Sequence, residues 1–77
     1  MNQYLFNSLI KTAEADKAKA LLSLNLLGEK AVGIGDHSTG DFYNNAEEAL
    51  AMLVDADDRI ATLNIYFPKN RKQQING

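Results

Sequence analysis

The stretch from residue 42 to residue 67, FYNNAEEALAMLVDADDRIATLNIYF, decides the fold, because its apolar residues recur with one strict period. Apolar side chains alternate at spacings of four and three residues, which is the pattern of the a and d positions of a helical heptad. Neither glycine nor proline interrupts the stretch. We therefore predict a helix over about residues 41–67. The eight positions of this apolar seam are Phe42, Ala46, Ala49, Leu53, Ala56, Ile60, Leu63 and Phe67.

A second seam with the same spacing precedes it and predicts a helix over about residues 2–31. Seven of its eight positions are apolar, and the exception is Lys17, the one charge in either seam. We interpret Lys17 as a register residue that reaches Asp57 or Asp16, since a polar a position fixes register in helical pairs. A ligand contact inside an oligomer is the alternative. The second seam consists of Phe6, Ile10, Ala13, Lys17, Ala20, Leu24, Leu27 and Ala31.

The two seams predict an all-α fold, an antiparallel two-helix hairpin. Pairing them antiparallel places Phe6 opposite Phe67 and Ala20 opposite Leu53, and most layers match a large side chain with a small one. Such alternation lets side chains interdigitate at native density. The same register places Asp16 across from Arg59.

Length and composition favour assembly of this hairpin. A chain of 77 residues with no cysteine has little core and no disulfide to stabilise it. A second apolar stripe on the first helix supplies an interface, so we predict a homo-oligomeric helical bundle. We expect a hairpin domain over 1–67 and a flexible basic tail over 68–77, because Pro68 stops the helix. The second stripe consists of Ala15, Ala18, Leu22 and Leu26.

The segment VGIGDHSTG, residues 32–40, joins the helices and is either a turn or a site. As a turn, its glycines adopt positive φ and Ser38 caps the next helix. As a site, its backbone N–H groups bind an anion beside a helix start. A metal site of Asp36, His37 and Asp41 has one histidine and no partner motif, so we predict no metal. The segment does not match the dinucleotide fingerprint, and nothing in it suggests a catalytic nucleophile.

Charge excludes some partners. The net charge is −2, and residues 36–58 carry seven acidic residues and no basic one. A duplex nucleic-acid binder would present a basic face, so we expect no such partner. No apolar run is long enough to span a membrane, and the N-terminus does not read as a signal peptide. We expect a cytoplasmic protein.

The segments LLGEKAVGIGDHSTGDF and ADDRIATLNIYF resemble small uncharacterised tailed-phage proteins, in which a helical hairpin turns on a G-x-G-acid-His segment and ends in an aromatic pair. The likeness covers about residues 20–67 and implies action in a host cytosol, without a catalytic assignment. In architecture the chain is also similar to phage sponges that sequester cyclic-nucleotide immune signals. The residues that carry the first resemblance are Gly33, Gly35, Asp36, His37, Tyr66 and Phe67.

These resemblances imply a non-enzymatic phage accessory protein without a cofactor. It binds and sequesters a small nucleotide-type immune signal as an oligomer, or alternatively docks on a host or virion protein through a helical face. The ligand-binding residues that the sponge similarity implies are Lys30, Gly33, Gly35, His37, Ser38, Thr39, Tyr43 and Tyr4.

Overall fold

A computed structural model of the chain describes residues 1–30 and 39–73. They form three helices, α1 (Gln3–Lys30), α2 (Thr39–Tyr66) and α3 (Pro68–Gln73). The two long helices match the predicted ranges to within two residues at each described end. The connecting segment, with Ala31 of the first seam, lies outside the described residues.

Contacts between α1 and α2 confirm that the helices pack side by side in opposite directions. Near the middle, Asp16 pairs with Arg59 and Lys17 with Asp57. At the start of α1, Gln3 bonds Asn70, beyond the end of α2. The residue numbers of the contacting partners therefore decrease along α2 as they increase along α1, as in an antiparallel hairpin.

The hydrophobic core consists of the two predicted seams. All seven buried apolar residues of the described chain are seam residues, and the other described seam positions are half-buried. The open end of the hairpin is the best packed, where Phe6, Ile10 and Leu63 form a cluster covered by Ile60 and Phe67. The buried apolar residues are Phe6, Ile10, Ala13, Ala20, Ala49, Ala56 and Leu63.

Lys17 has the interaction that the sequence predicts for it. Its ammonium Nζ lies 2.9 Å from Oδ1 of Asp57. Both side chains are close to half-exposed, so the charges stay solvated and the pair adds little stability. The ion pair confirms that Lys17 reaches Asp57, and its role in setting the register stays a prediction.

Asn2 caps the start of α1. Its side-chain Oδ1 accepts hydrogen bonds from the backbone N–H groups of Tyr4, at 2.8 Å, and Leu5, at 3.2 Å. These are two of the N–H groups that a helix start leaves without an intrahelical acceptor. The cap therefore stabilises the first turn of α1.

The prediction of a flexible tail from residue 68 is wrong for residues 68–73, which form α3. Pro68 ends α2, but its fixed φ also suits the first position of a new helix. The Asn70 side chain is 6% exposed and donates to the carbonyl oxygen of Met1, at 2.8 Å, and to Oε1 of Gln3, at 2.9 Å. Gln3 donates in return to the Asn70 carbonyl oxygen. The helix packs through these amides, which the search for apolar periodicity does not detect.

The hairpin is a single layer, 51 Å long, 21 Å wide and 14 Å thick. Each long helix buries one stripe against the other, and its remaining faces meet solvent. No helix in the described ranges has the length and apolar character needed to cross a membrane.

Candidate functional site

Four of the predicted ligand-binding residues, Gly33, Gly35, His37 and Ser38, lie outside the described residues. Lys30 ends α1 and Thr39 begins α2, so both backbones flank the connecting segment. Their side chains also lie outside the described part. The position of this predicted site therefore stays a prediction.

The two tyrosines of the predicted site lie at opposite ends of the hairpin. Tyr4 is in the first turn of α1, and Tyr43 is in the first turns of α2, beside the end of α1. The rise of about 1.5 Å per helical residue separates them by roughly 40 Å. Both rings are exposed, and that of Tyr43 packs edge-on against Phe42, with ring centroids 5.4 Å apart. One chain does not bring the two tyrosines into one pocket.

One long face of the hairpin combines apolar side chains with an ion cluster, and we call it the Arg59 face. It follows residues seven apart, which return to the same side of a helix after two turns. These residues flank the seam on one side, and both helices contribute to the face. Its defining residues are Leu9, Asp16 and Ser23 on α1 and Met52, Arg59 and Tyr66 on α2.

The ion cluster lies at the centre of the Arg59 face. Nη2 of Arg59 donates to Oδ2 of Asp16 at 2.8 Å, and its Nε donates to Oδ2 of Asp55 at 2.9 Å. The hydrogen bond to Asp16, together with the two negative charges, raises the pKa of Arg59 above its ordinary value. Arg59 thus remains a cation and bridges the two long helices.

An apolar groove lies on each side of this cluster. The groove nearer the connecting segment has a volume of about 400 Å³ and is lined by Leu26, Met52 and Glu48, among others. The groove nearer the open end measures about 370 Å³, and its walls include Leu9 and Thr62. Both grooves are shallow and open along the face. Their shape suits another helix better than an enclosed small molecule.

The opposite long face carries a different groove, of about 530 Å³, which we call the Lys17 groove. Its lining combines the apolar Ile60 and Leu21 with the cations Lys17 and Arg71 and the carboxylate Glu14. The side-chain Oδ1 of Asn64 is buried there and accepts no hydrogen bond from the described residues. A polar ligand that donates a hydrogen bond would satisfy this oxygen.

The described helices hold no cluster of three or more histidine, cysteine or carboxylate side chains suited to a metal. Two of the predicted metal candidates, Asp36 and His37, lie outside the described residues. The third, Asp41, is exposed in the first turn of α2, where its charge favours the helix start.

None of these three grooves is predicted from the sequence, although one signal for the Arg59 face is present. Leu9 and Ser23 flank Asp16 at seven residues, just as Met52 and Tyr66 flank Arg59. The second apolar stripe predicted from the sequence lies on the outer face of α1 and does not include the residues that define the Arg59 face. The Lys17 groove has no such signal, because α3 supplies Arg71. No protein family, curated protein or solved structure matches this chain.

Proposed function

We propose that this chain is a non-enzymatic binding protein that acts as a homo-oligomeric helical bundle and docks protein partners through its helical faces. The observation that carries the proposal is the contrast between a small core and large exposed apolar side chains. In the described helices Phe6 is the one large side chain that is fully buried, whereas Leu26, Met52 and Tyr66 are exposed. Contiguous apolar surface of this kind marks interaction sites in small proteins.

The shortage of core also favours self-association before any other partner binds. A single layer of two helices buries one seam, and chains of this size rarely gain more than about 3–5 kcal/mol from one core. A second hairpin would cover the exposed leucines and add a second seam. We expect a host or virion protein to dock on the assembled bundle through a helical face.

Concentration-dependent thermal unfolding tests this proposal. If assembly stabilises the fold, the melting temperature rises with protein concentration, because binding of folded copies shifts unfolding by mass action. Leu26→Lys and Leu22→Lys make a matched pair, since both leucines are exposed on α1 but only Leu26 lines a groove. A melting temperature that is constant from micromolar to millimolar chain would refute self-association. A stronger effect of Leu22→Lys would favour the stripe on the outer face of α1.

A second candidate function is sequestration of a small nucleotide-type signal, and the Lys17 groove favours it. The groove combines apolar side chains with two cations, one carboxylate and a buried oxygen that accepts no hydrogen bond from the described residues. A base would pack on Leu21 and Ile60 and donate to Asn64, while a phosphate would meet Arg71. In this proposal phage origin, the anti-defence role and action in a host cytosol rest on the sequence resemblance.

Thermal shift with cyclic mononucleotides and dinucleotides tests the second candidate. A ligand at one hundred times its Kd adds about 2.7 kcal/mol of stability, which is easily measured in a small domain. Asn64→Leu should abolish the shift, while Lys19→Ala, an exposed lysine off the groove, should preserve it. A shift that Asn64→Leu leaves intact would favour the connecting segment as the site. No shift with any nucleotide would leave protein docking as the better-supported function.

A further inference from the structure

The Arg59 face is nearly symmetric about its own centre. On α1, Leu9 and Ser23 lie seven residues on either side of Asp16, and on α2 Met52 and Tyr66 lie seven residues on either side of Arg59. At about 1.5 Å per residue, each of these side chains is roughly 10 Å from the central ion pair. The hairpin therefore presents two apolar regions at matching distances.

Charges on the same face also lie at matching distances, but with opposite sign. Glu48 lines the groove near the connecting segment and precedes Arg59 by eleven residues. Lys69 lies beside Tyr66 at the other end and follows Arg59 by ten residues. The helical rise places Glu48 roughly 16 Å from the centre, and Lys69, in the first turn of α3, lies three residues beyond Tyr66 on the other side. A half-turn about an axis that crosses both helices at the centre of the face would bring Glu48 towards the position of Lys69, and Lys69 towards that of Glu48.

We propose that a second copy of this chain docks on the Arg59 face in the antiparallel sense, about a two-fold axis beside Asp16 and Arg59. The inference rests on the homo-oligomeric assembly proposed above and identifies its face and orientation. A two-fold interface is isologous, so each contact occurs twice and the surface must complement itself after rotation. Glu48 and Lys69, on opposite sides of the centre of the Arg59 face, meet that requirement in charge.

Away from the two-fold axis, each contact in this arrangement joins unlike groups, whereas on the axis Asp16 and Arg59 each meet the same residue of the second copy. Tyr66 meets Met52 of the second copy, and a thioether against an aromatic ring is a favourable pair. Leu9 fills the space beside Ser23 of the second copy, where the groove is open. Lys69 reaches Glu48 of the second copy at each end. At the centre, Lys19 lies one turn along α1 from Asp16 and supplies a further cation beside the carboxylates.

The parallel sense of docking is less favourable electrostatically. Residues 41–58 of α2 carry six acidic residues and no basic one. A parallel pair would bring both acidic segments to the same end of the assembly and both α3 helices, with their basic residues, to the other. The antiparallel pair instead places the basic end of each copy beside the acidic half of the other. Exposed charges repel weakly, but the preference accumulates over several groups.

Charge reversal tests the contact. Lys69→Glu and Glu48→Lys should each weaken dimerisation about tenfold in sedimentation equilibrium, because two symmetric contacts each lose an attraction and gain a repulsion. The double variant should return to within about threefold of the wild type, since every pair is again of opposite sign. Glu47→Lys is the matched control, because it makes the same charge change one residue away and outside the groove. Circular dichroism checks that each variant stays helical.

A spin-label distance tests the orientation independently. The chain has no cysteine, so Glu29→Cys introduces a single labelling site in the last turn of α1. Antiparallel copies would separate the two labels by about 40 Å, whereas parallel copies would bring them to about 20 Å. Rescue in the double variant with a distance near 40 Å supports the proposal. A dimer without rescue, or with a distance near 20 Å, overturns it while self-association stands. A chain that stays monomeric at about 100 micromolar refutes self-association itself.

Discussion

Replacing Phe6 by alanine is the most direct perturbation of this fold. Phe6 is 0% exposed and contacts the cluster that closes the open end of the hairpin. Phenylalanine-to-alanine substitutions in cores cost about 3–5 kcal/mol, from lost burial and from the cavity left behind. A core of this size supplies about the same amount. We therefore expect Phe6→Ala to be largely unfolded at 25 °C.

A graded series makes this prediction quantitative. Phe6→Leu keeps most of the buried volume and should cost about 1–1.5 kcal/mol, which lowers the melting temperature of a domain this small by about 4–12 °C. Tyr4→Ala, two residues away with a ring 86% exposed, should change stability by less than about 0.5 kcal/mol. The assay is urea unfolding followed by circular dichroism at fixed protein concentration. If Phe6→Ala unfolds at the wild-type midpoint with an unchanged slope, the assigned core is incorrect.

Three further substitutions test other parts of the molecule. Leu53→Ala should cost about 1–3 kcal/mol, less than is usual for a buried leucine, because Leu53 is half-buried. A loss above about 3 kcal/mol in urea unfolding would show that another copy covers Leu53. Asn70→Ala should cost about 1–3 kcal/mol, because it removes the side-chain donor to Oε1 of Gln3 and to the carbonyl oxygen of Met1, and hydrogen exchange should then rise in the first turn of α1. His37→Ala should leave the melting temperature unchanged with and without zinc, and a zinc response confined to the wild type would identify a metal site in the connecting segment.

The Lys17 layer shows how much of the packing could be predicted from spacing. The alternation of four and three residues placed Lys17 within the seam and Asp57 within its reach, and the ion pair forms at 2.9 Å. The same register predicted that Asp16 lies across from Arg59, which the structure confirms at 2.8 Å. Both predictions succeed because side-chain direction in a helix follows from residue number alone.

The C-terminal segment is a region whose structure apolar spacing does not predict. Residues 68–73 have no apolar period, so the sequence predicts no structure there, yet Asn70 packs among Met1 and Gln3. Contacts between residues 67 or more positions apart depend on where the hairpin brings its two ends. Because amide hydrogen bonds have no periodic signature along the chain, the spacing of residues does not predict them.

The candidate site likewise has residues that the sequence predicts and residues that only packing brings together. The predicted ligand residues follow from glycines and aromatics along the chain, but Tyr4 and Tyr43 lie at opposite ends of the hairpin. Residues that do share a groove, such as Lys17, Asn64 and Arg71, come from all three helices. Which side chains meet in a groove is decided by packing between helices.

The sequence by itself determined the two helices, their antiparallel sense and the residues of the core, because helical periodicity is a local property that the order of side chains carries. Tertiary structure alone decided that Pro68 begins a third helix and that Asn70 joins it to the start of the chain. It also decided that the Arg59 cluster separates two grooves on one face. These features depend on distances between segments remote in sequence, and such distances exist only once the helices have packed.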